Sequence, residues 1–235
     1  MRIVIALEFS QLWHRLGGPR GLLMLAALAA LGTLLPMRLG PALLDPVYLL
    51  AYPILAAIFA GTYSIQSWAG ADERAWLENR GDEAPSDSEV LRGKTLAASL
   101  YGLIAWAIIF GASMAALSSA MRAVYLPRVS VLAALTVFTL ALSAMSSSAA
   151  ALLAVRFQSP ALARQMFRLA LFFIVLAGVI ATRAFPALLA PLSDPSLLVV
   201  WLTATPALFA GLAGLFGYLT LRSLADKRIS LSINP

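Results

Sequence analysis

The chain has 235 residues, of which 61% are hydrophobic and 12% charged, with a mean hydropathy of +0.86. A soluble domain carries about 45–50% apolar and about 25% charged residues, so a water-soluble globular domain is excluded. The +6 net charge reads as lysine and arginine retained on one side of a membrane rather than as a nucleic-acid surface, and the absence of cysteine excludes disulfides and thiolate metal sites.

The opening stretch MRIVIALEFSQLWHRLGGPR lacks a small-residue cleavage site and breaks its apolar run at Glu8, so it reads as retained rather than as a signal peptide. Ile5, Phe9, Leu12, Trp13 and Leu16 recur at helical spacing, with Glu8, Gln11 and Arg15 off that face. This predicts an amphipathic helix within residues 1–20, lying in the membrane interface and stopped by Gly17-Gly18-Pro19.

Six apolar spans follow: Gly21–Met37, Pro46–Trp68, Thr95–Ser118, Val129–Val155, Phe167–Phe185 and Leu197–Leu221. Each is long enough to be read as a crossing, against the ~20 residues a helix needs, and continuous apolar runs mean helices rather than barrel strands. The predicted fold is therefore an all-α integral membrane protein, with the transmembrane domain over 21–221 and a tail over 222–235. An even number of spans puts both termini on one side. Thirteen of the seventeen basic residues fall there, leaving Arg38, Arg122, Arg128 and Arg183 opposite, which predicts cytoplasmic termini.

Between spans two and three, residues 69–94 hold seven of the eleven acidic residues, including Asp72, Glu73, Glu78 and Glu89. One polar cytoplasmic loop thus carries most of the docking chemistry. It ends in Gly93-Lys94-Thr95, the close of a phosphate-binding loop. That loop needs an earlier glycine five residues before Gly93, where Ser88 stands, and a soluble helix after it, where a membrane span begins. No nucleotide site is read here.

Within the spans assigned, Asp, Glu, Lys and His are absent, which argues against an ion-coupled carrier. The single histidine, His14, lies on the interfacial helix, so no catalytic triad and no metal site are expected. In span four, Ser143 and Ser147 share a face and either hydrogen-bond across helices or line a polar path. Span six carries Pro206, a kink site, and Ala210/Gly214 and Ala213/Gly217, which read as close-packing pairs or as substrate contacts. Trp68, Trp106 and Trp201 read as interface anchors or packing residues. Residues 185–196 form a proline-broken outer hairpin too short to cross.

This order of parts resembles the exporter-type permease subunits of ATP-binding-cassette transporters. The resemblance rests on Glu73-Arg74, Leu77-Glu78, Pro85 and Glu89-Val90-Leu91-Arg92-Gly93-Lys94, on the basic link RFQSPALARQMFRLALFF, and on the outer hairpin. It departs from the family at Ala75-Trp76 and Asn79-Arg80-Gly81-Asp82-Glu83, which implies an altered grip on the partner. The resemblance implies a second permease half, identical or homologous, in a bacterial-type inner membrane, and separate ATPase subunits that bind the ATP and Mg. This chain would hold no cofactor, and Asp72, Glu73, Arg74, Glu78, Pro85, Glu89, Gly93 and Lys94 would couple to the ATPase. The haem or cytochrome-c-biogenesis permeases share the plan, and a non-transporting membrane scaffold is the alternative from another class.

Overall fold

The computed structural model describes residues 10, 18–40, 49–68, 86–124, 126–157, 159–184 and 195–233. Every element among them is an α-helix: α1 (Pro19–Leu39), α2 (Ala51–Trp68), α3 (Asp87–Met121), α4 (Val129–Arg156), α5 (Pro160–Ala184) and α6 (Pro195–Ile233). Three of these, α3, α4 and α6, contain stretches long and apolar enough to cross a membrane. At 1.5 Å per residue the 28 residues of α4 extend roughly 42 Å, beyond the ~30 Å hydrocarbon core.

The helix ends are written locally. Pro19 starts α1, where its missing N–H costs nothing, and Gly40 ends it at a φ of 52°, a left-handed backbone that glycine adopts without strain. Ser86 and Glu89 start α3 with a reciprocal capping box. Arg122 turns its end with a φ of 52°, its N–H reaching the carbonyls of Ser118 and Ser119. Ser159 starts α5: its carbonyl accepts from the Ala163 N–H at 3.0 Å, and its hydroxyl from the Leu162 N–H at 3.4 Å.

Two boundaries differ from the hydropathy reading. Span three is expected from Thr95 and the polar loop through Lys94, but α3 begins at Asp87. The cap overrides the polarity of SEVLRGK, whose Glu, Leu, Arg and Lys are good helix formers. Likewise the tail expected from residue 222 is helical through Ile233, an extension of α6.

Helix α4 is the hub. It packs along α2 on one side, along α6 on another and against α3, while α1 lies on α3. Tyr52 of α2, Ile109 and Phe110 of α3, Leu135 and Phe138 of α4 and Leu202 of α6 share one buried core. Two aromatic contacts organise it: Phe110 stacks on Trp106 at 5.3 Å, and Phe138 meets Trp201 at 5.6 Å. Trp106 and Trp201 are thus packing residues.

The α2–α4 seam is stitched by hydroxyls in both directions. Ser64 donates to the Ser147 carbonyl at 2.8 Å, and Ser146 donates to the Ala57 carbonyl at 2.6 Å. Lipid offers no hydrophobic drive between helices, so such bonds and close backbone approach hold them together. One close three-helix approach is at Gly102 of α3. A Cβ there would stand 2.7 Å from the Ser143 hydroxyl and 2.9 Å from the Ala56 carbonyl, so only glycine fits.

Candidate functional site

The sequence points to the polar segment ahead of α3, and the structure describes both of its ends. Helix α2 is described through Trp68, and the carbonyl of the preceding Ser67 is met by a side chain from α3. The Lys94 Nζ donates to it at 2.9 Å, and the same ammonium stands 5.3 Å from the centre of the Trp68 ring. Lys94 is only 1% exposed. The indole face adds cation–π attraction to that hydrogen bond. The lysine therefore ties the end of α2 to the second turn of α3.

Glu89 is engaged close by. Its carboxylate accepts the Ser86 N–H at 3.2 Å, while the Ser86 hydroxyl accepts the Glu89 N–H at 3.3 Å. Of the residues the sequence assigns to coupling, Glu89 thus caps its own helix, Gly93 is buried beside the tie, and Lys94 forms it. Asp72, Glu73, Arg74, Glu78 and Pro85 lie outside the described residues, as do the amphipathic segment except Ser10 and residues 18–20, and the outer hairpin through residue 194.

The serines of span four divide by role. Ser143 is fully buried against Gly102, its hydroxyl without a hydrogen-bond partner among the described residues. The Ser147 hydroxyl turns back to the Ala144 carbonyl at 3.0 Å. Both are packing residues at the three-helix approach. Ser148, on the next position, faces a cleft instead.

That cleft, about 660 Å³, opens between α3 and α6 with α4 as its floor. It exists because α3 and α6 each pack on α4 but scarcely touch one another. Ala213, Gly214 and Gly217 are on the α6 wall, so these small residues, read as close-packing pairs or as substrate contacts, border open space. A Cβ on Gly214 would meet nothing within 4 Å, and one on Gly217 only the tip of Leu91 at 3.6 Å. Pro206 is buried within α6, whose helix runs through it unbroken. A second groove of about 480 Å³ lies further along α3, between Trp106, Met114 and Leu132.

Among the described residues no group of three or more His, Cys, Asp or Glu is placed to hold a metal ion. No protein-family model, curated protein or solved structure matches the chain. Sequence reasoning missed the burial of Lys94, its acceptor Ser67, the Ser64 and Ser146 cross-links and the part of Gly102. The lysine carried a signal: Val90, Lys94, Ala97 and Ala98 fall at i, i+4, i+7 and i+8, the spacing of one helix face.

Proposed function

We propose that this chain is a membrane-spanning permease subunit of an exporter-type ATP-binding-cassette transporter. In this reading six helices cross a bacterial-type plasma membrane with both termini in the cytoplasm. A second permease half completes the substrate path, and separate ATPase subunits dock beneath and supply the energy. The observation that supports it best is the tie between Lys94, Ser67 and Trp68. It pins together the two ends of the most acidic segment of the chain, so a push on that segment reaches α2 and α3 at once.

Glu73 and Arg74 are the coupling pair in this reading, since charges at the rim of an interface set register and partner choice. The test is purification of the intact complex from native membranes, followed by ATPase assays in liposomes. An ATP-hydrolysing chain should co-purify, and its rate should rise when this subunit is present. Reversing both charges, Glu73→Lys with Arg74→Glu, should remove most of that stimulation while assembly persists. Absence of any ATP-hydrolysing partner, or uphill solute flux by the subunit alone without nucleotide, would overturn the reading.

A further inference from the structure

The cleft between α3 and α6 is graded in polarity. On α3 its wall runs from Ser88 through Arg92 and Thr95 to Ser99, roughly 16 Å at the helical rise. Arg92 is exposed and carries the only formal charge among the described lining residues. Asp87 and Glu89, the nearest carboxylates in sequence, are absent from that lining, and Glu89 is folded onto Ser86. Beyond Arg92 the walls carry no charge and are mostly apolar, Leu96, Leu140, Ala213 and Gly214, with the small hydroxyls of Ser99 and Ser148 among them. The volume falls within the ~300–1,000 Å³ of ordinary small-molecule sites.

We propose that this cleft binds a single-chain lipid bearing an anionic headgroup. The headgroup sits at Arg92 with the hydroxyls of Ser88 and Thr95, and the tail lies along Leu96, Leu140 and the open face of Gly214. The guanidinium fork matches a carboxylate or phosphate with two parallel hydrogen bonds, which a neutral headgroup cannot accept as well. The tail fills space that the glycines leave and that no other described helix occupies. The site requires the membrane setting but not the ATPase, so it stands apart from the coupling reading.

The test uses the full chain in detergent-free lipid discs with a dansyl-labelled single-chain fatty acid, and a dansyl alcohol of equal length as neutral control. The acid should bind with enhanced, blue-shifted emission and about tenfold more tightly than the alcohol, as one charge-assisted pair would give. Arg92→Gln should erase that difference, whereas Arg38→Gln, at the far end of α1, should leave it intact. Gly214→Phe should abolish binding of both probes while the protein keeps its unfolding temperature. Ala144→Leu, reaching in from α4, should do the same. The proposal is overturned if acid and alcohol bind alike, if Arg92→Gln acts no more than Arg38→Gln, or if acetate competes as well as the long-chain acid. It is equally overturned if Gly214→Phe spares probe binding but changes the oligomeric state by light scattering, which would make the cleft a seat for a second copy.

Discussion

Lys94 shows how one residue can link two helices across a gap of 27 positions. Hydrogen bonds from charged donors contribute about 1.5–3 kcal/mol, and the aliphatic stem adds packing. Lys94→Met keeps most of the stem and removes the donor, so it should lower stability by about 2 kcal/mol. Lys94→Ala should cost more because it also opens a cavity. Thermal unfolding monitored by size-exclusion chromatography checks both, and equal losses would assign the whole effect to the ammonium donor and none to the packing of its stem. Gly102 poses the opposite problem, space rather than charge. Gly102→Ala should destabilise by about 1–3 kcal/mol, the usual penalty for overpacking. Adding Ser143→Ala should recover part of that loss, since one of the three crowding atoms then disappears while the Ala56 carbonyl and the Ala60 Cβ stay.

Among the elements, α3 does two jobs, and its first turn separates them. If Glu89 serves the capping box alone, Glu89→Gln should leave ATPase stimulation unchanged in the complex proposed above, because glutamine fills the same role. Ser86→Ala should cost about 1 kcal/mol and appear as faster hydrogen exchange confined to the start of α3. A loss of stimulation in Glu89→Gln with normal exchange would give the carboxylate a docking role as well. The extent of α3 was also where hydropathy misled. The apolar signal begins at Thr95, yet the capping pair Ser86 and Glu89 was present in the letters and marks the true start. Helix α4, by contrast, was legible almost to the residue, because its apolar run coincides with its whole length. The cross-links on the α2–α4 seam were half legible. Serines on a shared face announce hydrogen bonds between helices, but which hydroxyl finds which carbonyl depends on the register of two helices, and one-dimensional spacing does not encode it.

For the molecule as a whole, the helical class and the three helices apolar and long enough to cross a membrane followed from composition, while the cleft did not. Small residues at i and i+4 mark either close contact or open space, and only the placement of the neighbouring helix decides between them. Here α3 lies too far from α6, so Gly214 borders a cavity. The absence of cysteine gives a direct route to the topology, since every introduced thiol is unique. If both termini are cytoplasmic, as proposed, Glu83→Cys and Arg228→Cys should react with an impermeant maleimide only from the cytoplasmic face, and Val124→Cys only from the opposite face. Labelling of all three from one side would refute the six-span arrangement.

Among the described side chains of helix α5, the buried ones lie in its first half. Ala163 and Phe167 are buried, and the Phe167 ring fills the notch at Gly61 of α2, while Phe172, Phe173, Ile174 and Ile180 all face outward. A rod seated near one end behaves as a lever. From residue 167 to the helix end at Ala184 the arm is roughly 25 Å, so a tilt of about 5° would carry the tip sideways by about 2 Å. Small adjustments in how one aromatic ring sits in its socket are therefore magnified at the far end of the helix.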